Sequence, residues 1–144
     1  MASEAVHPKS AACGLSPSQV EGPFEYSVDV RQKVVWVKFG KKISERAIER
    51  YMRQLRRDPS FASSYNEIVD LTALEEIQVC WEELMRVADM VDPFSFASKR
   101  AFIVQNAFQE HEARMYQVLR SARSKIRLCS SMDEAKRWIF GDQR

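Results

Sequence analysis

Asp70, Thr72 and His111 are the residues of this chain whose types favour acid–base chemistry or ligand contact. Asp70 lies near the end of the segment 65–71, whose pattern predicts a buried strand, and Thr72 follows that segment directly. In open α/β sheets, ligand and partner sites collect at the carboxyl ends of the strands. The pattern therefore predicts that a ligand or partner site, if there is one, lies around Asp70 and Thr72.

Each of these side chains also has an ordinary structural interpretation. A carboxylate beside a turn commonly accepts backbone N–H bonds and fixes the loop, and Thr72 can serve as a turn hydroxyl. His111 is predicted to border the core face of a helix as a hydrogen-bonded, partly buried side chain. A hydrolase-type enzyme that uses Asp70 and His111 is one hypothesis, and it requires the two side chains to lie within hydrogen-bond reach.

Arginines supply a second group of candidate contacts. Arg114 follows Glu110 by one helical turn, which predicts an exposed ion pair, and an anion or partner contact is the alternative. Four more arginines recur at helical spacing on the first predicted helix, and we call them the arginine row: Arg46, Arg50, Arg53 and Arg57. Like charges at this spacing repel each other. The row is therefore predicted to face an acidic partner surface, with a solvated helix face as the alternative.

The net charge of +2 conceals a strong separation of charge along the chain. Residues 41–57 hold seven basic side chains against two acidic ones, and residues 70–92 hold seven acidic side chains against one basic one. Such a dipole argues against general nucleic-acid binding, for which a dominant basic surface is expected. Opposed patches orient contacts between molecules, so the chain is predicted to form a homodimer or to bind another protein.

Composition limits the compartment and the cofactors. The chain has 144 residues, enough for one domain, and no apolar run near the ~20 residues of a membrane span. Its three cysteines, Cys13, Cys80 and Cys129, show no C-x-x-C spacing. This pattern predicts reduced thiols and a cytoplasmic protein. With only two histidines, far apart in the sequence, no metal site and no cofactor are predicted.

Hydrophobic periodicity and capping residues predict the order of elements. Residues 1–22 are read as a flexible tail and residues 23–144 as one α/β domain. The predicted strands are 24–30, 34–39, 65–71, 100–104 and 126–129. The first predicted helix begins after Ser44 and ends before Pro59. The other three predicted helices span about 80–91, 106–122 and 131–139. The order β-β-α-β-α-β-α-β-α predicts a five-stranded, mixed, mostly parallel sheet with four helices and an antiparallel first strand.

The same periodicity predicts which helix faces point inward. For the third helix the predicted inner face is Phe108, Met115, Val118, Leu119 and Ala122. For the last helix, Trp138 and Ile139 are predicted to pack on the sheet, after a capping box that begins at Ser131.

Four short segments, taken in this order, resemble a group of small uncharacterised bacterial proteins with a STAS-like fold. They are Leu-Arg-Arg-Asp-Pro-Ser-Phe at 55–61, Ile-Val-Asp-Leu at 68–71, Ala-Arg-Met-Tyr at 113–116, and Asp-Glu-Ala-Lys-Arg-Trp-Ile at 133–139. The STAS-like fold is that of anti-sigma-factor antagonists, and lipid-carrying domains of the CRAL-TRIO type share it. The resemblance extends from about residue 24 to residue 140.

The resemblance implies a non-enzymatic, cytoplasmic regulatory or protein-interaction module. In anti-sigma-factor antagonists an Asp-Ser or Asp-Thr pair is the regulatory phosphorylation site, and here that position falls on Gln78-Val79. Valine cannot be phosphorylated, so the module is expected to lack the usual phospho-acceptor. The alternative implied by the lipid-carrying relatives is a carrier of a small apolar or acyl ligand. An enclosed apolar cavity of several hundred Å³ would favour that alternative.

Overall fold

The computed structural model describes residues 24–89, 92–120 and 125–141. The predicted tail, residues 1–22, lies outside these ranges, as does Val91 at the predicted end of the second helix. The described elements are β1 Phe24–Asp29, β2 Val34–Phe39, β3 Lys42–Ser44, α1 Glu45–Arg57, β4 Asn66–Asp70, β5 Glu76–Gln78, α2 Trp81–Asp89, β6 Lys99–Ile103, α3 Ala107–Arg120, β7 Lys125–Cys129 and α4 Met132–Phe140.

Five of these strands form the main sheet, in the order β1-β2-β4-β6-β7. β1 pairs antiparallel to β2, and every other pair in this sheet is parallel. Helices connect the parallel strands from β2 to β7. The predicted five-stranded, mostly parallel sheet with four helices is therefore confirmed, including its antiparallel first strand.

Two short strands form a second, parallel sheet that the sequence did not indicate. β3 pairs with β5, with Ile43 opposite Ile77. Residues 72–78 were read as a loop, which is wrong for β5. Strands of three residues are too short to show an alternating pattern, and their pairing depends on the fold that brings them together. This small sheet lies beyond the carboxyl ends of β2 and β4.

The first helix begins and ends where its capping residues predict. Ser44 Oγ accepts the N–H of Ala47 at 3.1 Å, and the N–H of Asp58 donates to the carbonyl of Leu55. Side-chain acceptors at the N-cap satisfy N–H groups that have no partner within the helix. This fixes α1 across the sheet, with Tyr51, Met52 and Leu55 buried.

The sheet has two unequal faces. One face packs against α1, α2 and α3 in the larger apolar cluster, which includes Val35, Val69 and Phe102. The other packs against α4 in a smaller cluster built on Ile68 and Ile139. Successive residues of a strand point to opposite faces. Val69 therefore packs in the larger cluster and Ile68 in the smaller one.

The last helix docks as predicted through one of its two expected anchors. Ile139 is buried, whereas Trp138 is half-buried at the edge of the smaller cluster. The ring of Trp138 lies 5.8 Å from Lys99 Nζ and 5.9 Å from Arg127 Cζ, a distance range typical of cation–π contacts. Ile139 is therefore the buried anchor of α4, while Trp138 packs against the smaller cluster at its boundary with solvent, beside the two cations.

Candidate ligand-binding site

The inner face of α3 differs from the face that periodicity predicts. Four residues of α3 are buried, and three of them are polar: Gln109, Ala113, Tyr116 and Arg120. Phe108 and Val118, which were expected inside, are exposed, Val118 by 65%. Met115 and Leu119 pack only partly against the core, and Ala122 lies outside the described residues. The reason is that the sheet and the neighbouring loop offer polar partners to α3 at this face.

Gln109 shows how such a polar residue is held inside. Its amide nitrogen donates to the carbonyls of Thr72 and Leu74, at 3.1 and 3.0 Å. Its amide oxygen accepts the N–H of Gln105 at 2.7 Å. Buried polar groups are normally hydrogen-bonded in this way, so Gln109 ties the start of α3 to the loop after β4.

A buried ion-pair network lies on the same side of the sheet. Glu67 of β4 and Arg100 of β6 are cross-strand neighbours, and Arg100 Nε donates to Glu67 Oε1 at 2.8 Å. Arg100 Nη1 donates to Asp92 Oδ2 at 2.7 Å, and Arg120 Nη2 donates to the same oxygen. Tyr51 donates its hydroxyl proton to Glu67 Oε2 at 2.6 Å. The network thus joins two strands, a loop, α1 and α3.

Burial and ion pairing shift the pKa values of Arg100 and Tyr51 in this network. Desolvation alone would lower the pKa of Arg100, but the charges of Glu67 and Asp92 outweigh it and raise that pKa above its ordinary value. Burial, followed by the charge of Glu67, raises the pKa of Tyr51 well above its usual range. Arg100 therefore stays a cation and Tyr51 stays a neutral hydrogen-bond donor.

Tyr116 is the unusual member of this region. Its hydroxyl is buried and has no hydrogen-bond partner among the described residues. Its ring stacks on Phe102, with centroids 6.0 Å apart. Burial raises the pKa of Tyr116, and the nearby charge of Arg100 counteracts part of that rise. A buried hydroxyl without a partner costs about 1–3 kcal/mol, which makes its surroundings the most informative part of the interior.

Tyr116 lines a cavity of about 90 Å³ between the sheet, α1 and α3. Most of the wall is apolar, and the polar lining residues at one end are Tyr51, Glu67, Arg100 and Tyr116. Ile48, Ile77 and Glu112 are half-buried and are the least buried of the described lining residues, so the cavity reaches solvent beside them. The remaining described lining residues are Phe39, Ile43, Met52, Val69, Leu71, Leu74, Phe102 and Ala113.

The cavity runs from the amino ends of the strands to their carboxyl ends. Glu67 and Arg100 are the second residues of β4 and β6, whereas Leu71 follows β4 and Ile77 lies in β5. A site for one water needs roughly 10–15 Å³, so by the same ratio this cavity has room for a small molecule of about six heavy atoms. It is smaller than the several hundred Å³ expected for a carrier of long acyl chains.

Two wider depressions lie on the face that α4 covers only in part. One, of about 240 Å³, is lined by Trp36, Ile68, Asp70 and Met132 among others. The other, of about 600 Å³, lies between Trp36 and the end of α4. Charged side chains alternate with apolar ones around both, and Lys136 Nζ lies 5.8 Å from the ring centroid of Trp36. Neither has an unpartnered buried polar group among its described lining residues.

Asp70 and Thr72 form a local turn. Asp70 Oδ1 accepts the backbone N–H of Thr72 at 2.9 Å and its hydroxyl at 2.7 Å. His111 is exposed on α3, so the prediction of a partly buried histidine is wrong. The helix is rotated so that Gln109 and Ala113 point inward in its place. No hydrogen bond joins Asp70 to His111 among the described residues.

The predicted arginine contacts are all on the surface. Arg114 pairs with Glu110 at 2.9 Å, as the spacing predicts. Every arginine of the row, Arg46, Arg50, Arg53 and Arg57, is exposed. Within the row, Arg53 lies 3.5 Å from Glu49 of the same helix, so this acid offsets part of the repulsion between the arginines. Such exposed pairs contribute little to stability.

The segment before α2 contains the position of the phosphorylation site in the resembling family. Val79 is half-buried against the larger cluster, and valine has no hydroxyl to modify. Its neighbour Cys80 is disulfide-bonded, so the prediction of three reduced thiols is wrong. Cys129 is a free, buried thiol, and burial raises its pKa. Since structural disulfides are typical of oxidising compartments, the cytoplasmic location stays a prediction.

The described part of the chain has neither a cluster of metal ligands nor a membrane-spanning helix. Within the described ranges, no group of three or more His, Cys, Asp or Glu side chains is placed to hold a metal ion. In the same part of the chain, no helix has the length and apolar character of a membrane span.

Comparison with known proteins identifies the fold. No model of a known protein family matches the sequence, and no curated protein matches it at a significant level. The structure is similar to that of an uncharacterized protein of the DUF3478 family with a SpoIIAA-like fold, from Shewanella loihica PV-4. The TM-score is 0.56 at 16% sequence identity, over 88% of this chain and 99% of that chain. This chain therefore has the SpoIIAA-like, that is STAS-like, fold.

Proposed function

We propose that the chain is a non-enzymatic binding domain that holds a small, largely apolar molecule between the sheet, α1 and α3. The observation that supports this most is the buried hydroxyl of Tyr116, which lines the cavity without a partner among the described residues. Binding sites are typically apolar pockets with a few placed polar groups, and this cavity has that character.

The walls of the cavity support binding in a second way. Arg100 and Glu67 are held by each other, by Tyr51 and by Asp92. Their positions are therefore fixed before a ligand enters, and a preorganised site loses less entropy on binding. The half-buried Ile48 and Ile77 at the open side can admit an apolar molecule without unfolding the sheet.

Filling the cavity from α3 is expected to abolish binding. Ala113 lines the cavity and is 3% exposed, so Ala113→Leu places three additional carbon atoms in the space. We expect n-pentanol to bind the natural chain with a dissociation constant on the order of 1 mM, as suits a ligand of about six heavy atoms. Calorimetric titration should show at least a tenfold weaker affinity for Ala113→Leu.

A matched control uses the same substitution on the surface of the same helix. Ala107 is the first residue of α3 and is exposed, so Ala107→Leu should leave the affinity unchanged. Val69→Ile fills the cavity from the sheet and serves as a second variant if Ala113→Leu folds poorly. Equal affinity in all four proteins would show that the probe binds elsewhere and would contradict the proposal.

The exposed arginine row favours a second candidate function, an interaction module without the usual phospho-acceptor. The four side chains lie on one exposed helix face, and the acidic residues 82 and 83 begin the next helix in the chain. Two copies could therefore pair through opposed charges, with the dimer as the commonest closed assembly. Sedimentation at about 50 mM and about 1 M salt should then show a dimer that salt weakens, since the Debye length falls to about 3 Å. A monomer under both conditions would remove this candidate.

A further inference from the structure

We propose that the ligand of the cavity is an uncharged molecule with an apolar body and one oxygen, an alcohol or ketone, that hydrogen-bonds to the Tyr116 hydroxyl. This rests on the proposed binding function and specifies the chemistry of its ligand. Three observations point to it: the charges around the polar end, the hydrogen-bonding capacity of Tyr116, and the acid at the opening.

Among the described residues, the charges at the polar end balance. Two guanidinium groups, Arg100 and Arg120, face two carboxylates, Glu67 and Asp92, at N–O distances of 2.5–2.8 Å. A buried ion needs a counter-ion, because transfer of an unpaired charge from water to the interior is costly. Since this network has no net formal charge, a charged ligand would remain without a counter-ion.

The opening of the cavity also disfavours an anion. Glu112 of α3 is half-buried and lines the cavity on the side that faces solvent. Its carboxylate would repel a fatty acid or another carboxylate on the way in, and that repulsion is strengthened where water is partly excluded. The same carboxylate does not oppose a neutral alcohol or ketone.

Tyr116 supplies the contact that a neutral oxygen requires. A tyrosine hydroxyl can donate one hydrogen bond and accept another, so it suits a carbonyl or a hydroxyl oxygen. The stacking of its ring on Phe102 fixes the hydroxyl at the charged end of the cavity. A ligand oxygen placed there leaves an apolar body of about five carbon atoms to lie along Val69, Leu71 and Leu74 toward the opening.

Three linear probes of matched size test the inference: n-pentanol, butanoate and n-hexane. We expect n-pentanol to bind tightest, n-hexane to bind about three- to tenfold more weakly for want of a hydrogen bond, and butanoate to bind at least tenfold more weakly than n-pentanol at neutral pH. Binding is measured by NMR titration of the methyl groups that line the cavity. Their signals distinguish a probe that enters the cavity from one that binds to the protein surface.

Removal of one oxygen atom from the protein tests the role of Tyr116. Tyr116→Phe should weaken n-pentanol binding about three- to tenfold and leave n-hexane binding unchanged or slightly stronger, so that the preference for the alcohol disappears. Tyr65→Phe removes a hydroxyl from a buried ring that is not among the described lining residues of the cavity, and it should preserve the preference.

The outcomes separate this inference from the proposed function. If butanoate binds as tightly as n-pentanol, or if Tyr116→Phe keeps the preference for the alcohol, the inference is overturned while the cavity remains a binding site. In the latter case a water molecule satisfies the hydroxyl. If none of the three probes shifts the methyl signals of the cavity, the proposed function itself fails.

Discussion

Replacement of Arg100 by methionine is expected to lower the free energy of unfolding by about 3–5 kcal/mol. The side chain of Arg100 is 4% exposed, and its guanidinium pairs with both Glu67 and Asp92. Methionine has a similar length but no charge, so both carboxylates would lose a buried counter-ion. Urea unfolding followed by circular dichroism would measure the loss.

Arg114→Met is the matched control for that experiment. Its ion pair with Glu110 lies on the surface, with both side chains more than half exposed. Such pairs contribute about 0–1 kcal/mol, so the control should unfold near the natural midpoint. If Arg100→Met lost no more than Arg114→Met, the network would not be buried as described, and the polar end of the cavity would be open to water.

Phe102→Ala is expected to lower the free energy of unfolding by about 3–5 kcal/mol, because a large aromatic side chain leaves a cavity that the surroundings cannot close. Phe102 lies in the middle of the sheet, is 8% exposed, and stacks on Tyr116. It also lines the cavity, so its loss enlarges the binding space. Added n-hexane should therefore restore part of the lost stability.

The control for this change is Phe96→Ala. Phe96 is 73% exposed in the loop before β6, and its removal should alter stability by less than about 0.5 kcal/mol. If Phe102→Ala and Phe96→Ala lowered the free energy of unfolding equally, Phe102 would not lie at the centre of the core. A Phe102→Ala protein that gains nothing from n-hexane would indicate that the space collapses when the ring is removed.

The order of elements follows from local sequence, and it could be read before the structure. Ser44 and Pro59 bracket α1, and the apolar run at 101–104 lies in and just after a central parallel strand. These signals depend on neighbouring residues alone, and caps and periodicity act within one element. The strand–helix alternation then predicts a mixed, mostly parallel sheet, and the resemblance of four short segments to known proteins added the expectation of a STAS-like fold.

The inner face of α3 could not be read in the same way. Periodicity counts apolar residues, and it therefore placed Phe108 and Val118 inside and His111 at the border. The face that is buried is polar because Gln109 and Arg120 find their partners on other elements. Partners that are far apart in sequence give no local signal, so the assignment depended on the tertiary structure.

The polar end of the cavity was missed for a related reason. The rule that sites lie at the carboxyl ends of strands points to Asp70, whereas Glu67 and Arg100 lie near the starts of their strands. One signal was present: Glu67 directly precedes the apolar pair Ile68-Val69, and Arg100, of opposite charge, directly precedes the apolar run 101–104. A charge inside a buried strand needs a partner, and that rule would have paired Glu67 with Arg100.

The most direct test of the binding cavity is a map of where n-pentanol lies in the protein. Intermolecular nuclear Overhauser effects can be recorded between the alcohol and labelled Ile, Leu and Val methyl groups. We expect contacts with Ile43, Val69 and Leu71, which line the cavity, and none with Val30 and Val118, which are 53% and 65% exposed. Contacts confined to Val30 and Val118, with none at Val69, would contradict this expectation.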